Sequence, residues 1–141
     1  MIGAALHELE QAGIAVLARS RVIASAPLGP SQRRFANGAA LIECEVRPRE
    51  LLSLLKAIET RFGRRQRGQR WGERVLDLDI VLWSGGCWRD ADLIVPHLPF
   101  RERGFVLAPA ATIAGAWRDP VTGLTLRQLH ARLTRQQGIT R

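Results

Sequence analysis

The chain has 141 residues, 46% of them hydrophobic and 24% charged, which suffices for one buried core and excludes a disordered polymer. Its formal net charge of +8 sets 21 basic against 13 acidic residues, and every basic residue except Lys56 is arginine. That bias suits phosphate ligands, which guanidinium grips through paired donors, and equally suits nucleic acid or another anionic surface. No run approaches the roughly 18 consecutive apolar residues of a membrane span. Cys44 and Cys87 are too few and too far apart for a disulfide framework and read as idle thiols.

The opening MIGAALHELEQAG carries Glu8 and Glu10, lacks a basic leader, and sets Ile2, Ala5, Leu6 and Leu9 on one helical stripe. It reads as an amphipathic helix and not a signal peptide, which points to the cytoplasm. Residues 14–24 are β-branched and partly alternating, a strand; Ala26-Pro27-Leu28-Gly29-Pro30 then breaks regular structure. Residues 35–46 alternate from Ala40 onward and predict a second strand antiparallel to the first. Pro48 opens a helix with Glu50 in its first turn, Gly63 past its end, and Leu51, Leu52, Leu54, Leu55, Ile58 and Phe62 on its apolar face.

Residues 63–74, GRRQRGQRWGER, hold three glycines, five arginines and no aliphatic residue, a loop too long to be a mere connector. Val75 to Trp83 is the clearest predicted strand. Short elements follow around Trp88 and 93–95, then a turn-rich stretch to about 123 and a final helix over 124–133. A helix followed by strand, strand, helix and strand is most of a βαββαβ pattern, with the leading strand missing, in a single domain spanning 1–141.

Chemistry concentrates in three places. Asp77 and Asp79 stand two apart in a predicted strand, so both carboxylates face one way while Leu76, Leu78, Ile80 and Leu82 face the other. Two carboxylates so placed repel unless a cation sits beside them, and hard oxygens on a rigid strand suit Mg²⁺ shared with substrate phosphates. A solvent-facing strand with aspartate on its polar side is the alternative. Just upstream, Arg64, Arg65, Arg67, Arg70 and Arg74 surround Trp71, either to neutralise a polyphosphate or to hold RNA. The third cluster is His97 with Arg101, Arg103 and Phe105; His7 and His130 read as structural.

The segment Arg70-Trp71-Gly72-Glu73-Arg74-Val75-Leu76-Asp77-Leu78-Asp79-Ile80 resembles the signature R-W-G-x-R-x-x-D-x-D-[IL] of the 6-hydroxymethyl-7,8-dihydropterin pyrophosphokinases. Residues 26–30, Phe35-x-Asn37-x-Ala39, Val95-Pro96-His97 and Arg103-Gly104-Phe105-Val106-Leu107-x-Pro109 look like further blocks of that family, so the likeness runs to about residue 130. It implies an α+β fold: a ferredoxin-like βαββαβ sandwich, largely antiparallel, with helices on one face. It also implies pyrophosphate transfer from ATP to the pterin hydroxymethyl group in folate synthesis, releasing AMP. Asp77 and Asp79 would hold two Mg²⁺ ions, and Arg64, Arg70, Arg74, His97 and Arg103 would meet phosphates. Asn37 and the backbone from Ser25 through Pro27 to Leu28 would read the pterin edge. Phe35 and Phe105 would sandwich its ring, Trp71 would close over it, and Glu59 and Ile80 would lie near the nucleoside.

The sequence departs from the pattern at Lys56, where the family has Gln, at Leu98, where an aromatic follows the His, and at Gln66 in the loop. It also opens inside the family's first helix, without the preceding strand and Gly-Ser-Asn turn. The expected explanations are a misassigned start, a strand supplied in trans by a second copy, or a repacked sheet. Expected partners are therefore the two small substrates, with no membrane and no nucleic acid, and a dimer only if a strand is exchanged.

Overall fold

The computed structural model describes residues 2–25, 35–65 and 76–139. The chain falls into two compact units, Met1–Ala15 with Cys44–His97 and Val16–Glu43 with Leu98–Arg141.

In the first unit α1 (Ile2–Gln11) buries Ala5, Leu6 and Leu9, the stripe its sequence lays out. The helix stops where Gly13 takes φ 92°: Gly13 N–H donates to the Glu10 carbonyl and Ile14 N–H to the Leu9 carbonyl. This is a Schellman closure, and buried Ile14 completes it against Leu9. Helix α2 (Pro48–Arg65) starts on proline, whose missing N–H costs nothing in a first turn. Leu51, Leu55, Ile58 and Phe62 make its buried face, and Arg61 ties it to α1 through Glu8 at 3.1 Å. Ile80 and Val95 complete this core.

Residues 76–82 join no ladder among the described residues, which corrects the strand predicted for 75–83. Their side chains still alternate: Asp77 and Asp79 are exposed, Leu76 and Leu78 half-buried, Ile80 buried. The pattern fixes an extended conformation, whereas a strand also needs a neighbour, and none is described here. The segment ends in a turn where Gly86, at φ 102°, donates to the Trp83 carbonyl at 3.0 Å. The Trp83 ring covers Gly85 so closely that a Cβ there would lie 2.4 Å from it. The short strands β5 (Trp88–Arg89) and β6 (Ile94–Val95) then pair antiparallel, Trp88 against Val95.

In the second unit the two predicted strands each divide. β1 (Ala15–Arg19) neighbours β4 (Ala40–Glu43), and β2 (Ile23–Ser25) pairs antiparallel with β3 (Phe35–Asn37), Ile23 facing Asn37 and Ser25 facing Phe35. The breaks centre on Ser20, whose hydroxyl accepts the Ala39 N–H at 2.9 Å while its own N–H donates to the Ala39 carbonyl. A side-chain oxygen has taken a ladder position, and regular pairing is interrupted there.

The stretch predicted as turns up to 123 contains a 3₁₀ turn, Phe100–Glu102, and a helix, α3 (Gly104–Ala114). GFVLAPAATIA has no polar face to set a 3.6-residue period, and its Gly104 and Pro109 read as breakers, which hid the helix. Helix α4 (Leu126–Ile139) is longer than the 124–133 expected. It opens with a capping box: Gln128 N–H donates to Thr125 Oγ1 at 3.1 Å, and Thr125 N–H to Gln128 Oε1 at 2.9 Å. Helix α3 packs on α4 and on β2, β3 and β4, around Phe100, Leu107, Ala110, Leu126 and Leu129. The architecture is α+β with small sheets, and no helix among the described residues is long and apolar enough to cross a membrane.

Candidate active site

The first unit carries the acidic segment. The Asp79 side chain is 55% exposed, and its Oδ2 lies 3.8 Å from His97 Nε2. The other imidazole nitrogen, Nδ1, is buried and has no hydrogen-bond partner. His97 follows a cis Val95–Pro96 bond, and its own N–H donates to the Val81 carbonyl at 3.0 Å. From α2, Glu59 reaches the amide between the two aspartates: Leu78 N–H donates to Glu59 Oε2 at 2.6 Å. Lys56, one turn earlier, stands 3.6 Å from Glu59 Oε1. Asp77, Asp79, Glu59, Ile80 and His97, predicted separately, thus come together in one unit, with Arg64 in the last turn of α2.

No group of three or more His, Cys, Asp or Glu among the described residues could hold a metal by itself. What is present is two exposed carboxylates two residues apart on an extended backbone. That donor set fits a hard cation that completes its shell with phosphate oxygens and water, which is the habit of Mg²⁺.

The second unit carries a different group. Asn37, half-buried, lies at the end of β3 opposite Ile23, and Ser25 and Phe35 are backbone partners at the other end of the same ladder. Arg103 precedes the first turn of α3, and its guanidinium stands 5.8 Å from the centre of the Phe105 ring. Phe105 is 50% exposed, a large aromatic face offered to solvent beside a cation. Such a face stacks on a flat heterocycle. Pro27, Leu28, Arg70, Trp71 and Arg74 lie outside the described residues.

One residue grouped with the site by sequence belongs elsewhere. Arg101 donates through Nε and Nη2 to the two carboxylate oxygens of Asp119, at 2.5 and 2.7 Å. Asp119 is fully buried and also accepts from Val121 N–H at 3.0 Å and Thr122 Oγ1 at 2.8 Å. Burial pushes its carboxyl up, but the Arg101, Val121 and Thr122 hydrogen bonds pull further the other way, leaving it at about 2. The guanidinium is therefore committed to a structural pair. Conversely, the Glu59–Leu78 contact spans 19 residues, and no spacing rule pointed to it.

Residues 1–115 match the family model described as 7,8-dihydro-6-hydroxymethylpterin-pyrophosphokinase (HPPK). Three relatives carry the name 2-amino-4-hydroxy-6-hydroxymethyldihydropteridine pyrophosphokinase. The protein of Synechocystis sp. is 42% identical over 118 residues, covering 84% of this chain and 60% of its own length. That of Methylorubrum extorquens is 39% identical over 134 residues, 94% of this chain and 83% of its own. That of Bacillus subtilis is 37% identical over 135 residues, 95% of this chain and 79% of its own. The chain belongs to the 7,8-dihydro-6-hydroxymethylpterin-pyrophosphokinase family.

Proposed function

We propose that this member of the family transfers pyrophosphate from ATP to the hydroxymethyl group of 6-hydroxymethyl-7,8-dihydropterin, as a single cytoplasmic domain of ferredoxin-like type. The hydroxymethyl oxygen attacks the β-phosphorus and gives up its proton. The bond from that phosphorus to the α-phosphate oxygen breaks, and AMP leaves. The observation that carries this reading is the Asp77–Asp79 pair, held exposed on an extended backbone with His97 beside Asp79.

Two Mg²⁺ ions bound there would offset the negative charge of the triphosphate during transfer. Asp77 and Asp79 would hold those ions and the remaining groups position the substrates. His97, Arg64, Arg70, Arg74 and Arg103 donate to phosphate oxygens, where guanidinium and imidazole act as fixed positive poles. Glu59 and Ile80 border the nucleoside. Asn37 and the backbone of Ser25, Pro27 and Leu28 take the polar edge of the pterin. Phe35 and Phe105 stack on its faces, and Trp71 covers it to exclude water. Each role rests on the resemblance of the chain to the family, together with the geometry of the described residues.

The test is AMP release by the purified chain supplied with ATP, Mg²⁺ and the pterin. Turnover is expected only with all three present, and Asp79→Asn is expected to lower kcat by on the order of 10²–10³ while leaving the circular dichroism spectrum intact. Pterin-independent AMP, or full turnover in Asp79→Asn, would contradict the reading.

A further inference from the structure

The extended segment that carries the two aspartates is held at two points by bonds outside a strand ladder. Residues 76–82 join no ladder among the described residues, and two of their main-chain groups bond partners of other kinds. Two such bonds are visible: Leu78 N–H to Glu59 Oε2 at 2.6 Å, and His97 N–H to the Val81 carbonyl at 3.0 Å. In an extended chain, successive residues turn their backbone polar groups to alternate edges. Leu78 and Val81 are an odd number of residues apart, so Glu59 holds one edge and His97 the opposite one. Side chains project perpendicular to those edges. A ribbon pinned on both edges cannot roll about its own axis, and the direction in which Asp77 and Asp79 face is thereby fixed.

Glu59 is built for this task. Its side chain is 15% exposed while that of Lys56 is 59% exposed, so the acceptor lies inward and its counter-ion faces water. The 2.6 Å separation is that of a bond strengthened by charge on the acceptor.

We infer that Glu59 is a positioning residue for the aspartate pair: through the Leu78 amide it sets the orientation in which Asp77 and Asp79 meet a divalent cation carried by a polyphosphate. The identity of that cargo rests on the proposed pyrophosphate transfer; the latch itself does not. Glu59 thus acts on metal and on kcat, and a nucleoside contact alone would act on KM for ATP.

Three variants separate these roles. Glu59→Ala removes the acceptor, Glu59→Gln keeps an oxygen for the amide without the charge, and Lys56→Gln removes only the counter-ion. The measurements are hydrogen exchange at the Leu78 amide by NMR, Mn²⁺ affinity by electron paramagnetic resonance with a non-hydrolysable ATP analogue, and kcat and KM. For Glu59→Ala, exchange at Leu78 is expected to accelerate by at least about 10-fold while α2 stays protected. Its Mn²⁺ affinity and kcat are expected to fall by about 10–100-fold, as when an outer-shell partner is lost, in addition to any rise in KM for ATP from its place beside the nucleoside. Glu59→Gln should keep Leu78 protection and Mn²⁺ affinity within about threefold, and Lys56→Gln should keep all three within the same bound. Should Glu59→Ala not fold, Glu59→Asp, one methylene short of the amide, carries the same expectation.

The inference is overturned if folded Glu59→Ala binds Mn²⁺ as the parent does, if only KM for ATP rises, or if Glu59→Gln is as impaired in Mn²⁺ binding as Glu59→Ala. Absence of AMP release by the parent chain would remove the reaction, and the exchange and Mn²⁺ measurements would still decide the latch.

Discussion

Replacing Asp119 by alanine should destabilise the protein in a way that depends on pH. The carboxylate is fully buried and accepts from both arms of Arg101, from Val121 N–H and from the Thr122 hydroxyl. Removing one partner of a buried ion pair costs about 3–5 kcal/mol. The Arg101 side chain is 24% exposed and regains some water, which places the expected loss near the lower limit, about 3 kcal/mol at neutral pH. Part of that is electrostatic. The folded carboxyl sits at about 2 against an ordinary 3.8, a gap worth about 2 kcal/mol. Because the folded value is the lower one, this contribution is complete above the ordinary value. It is lost as pH falls through the folded one. Urea titrations followed by circular dichroism between pH 7 and pH 2.5 should show the parent and Asp119→Ala curves parallel above about pH 4 and converging below it. A gap that stays constant through the acid range, or a loss under about 1 kcal/mol at pH 7, would refute the reasoning. The double variant Arg101→Met/Asp119→Leu should recover part of the loss, since no charge is then left buried without its partner.

Two further outcomes follow from packing and capping. Leu107→Ala, at a fully buried position of α3, should lower the urea-derived stability by about 2–5 kcal/mol, because buried apolar contact is lost and a cavity is left. Thr125→Ala removes half of the capping box that starts α4 and should cost about 1 kcal/mol, with Thr125→Ser restoring most of it.

What the sequence revealed follows from how local each signal is. Helices α1 and α2 were legible because each carries an apolar stripe at helical spacing, and Pro48 marks where the second begins. The alternation of the acidic segment was legible because apolar and acidic side chains take turns over Asp77 to Ile80. Helix α3 was not, since a helix apolar on every side has no period to detect. The division of the first two strands depends on one Ser20–Ala39 exchange across 19 residues, which no window along the chain can see. Arg101 was grouped with His97 and Arg103 for a related reason: nearness along the chain is visible in sequence, and its partner at position 119 is not.

The turn that closes the acidic segment brings two indoles together, Trp83 and Trp88, with ring centres 5.7 Å apart and planes at 88°. Chromophores that close share their excited states, so the pair acts as an optical gauge set at the foot of the aspartate ribbon. Coupling between them is expected to give a signed dichroic couplet set by the angle between the rings, and that angle depends on the backbone course from Trp83 to Trp88. The protein therefore carries its own dye where the two carboxylates are anchored, and events there can be followed in solution without attaching a label.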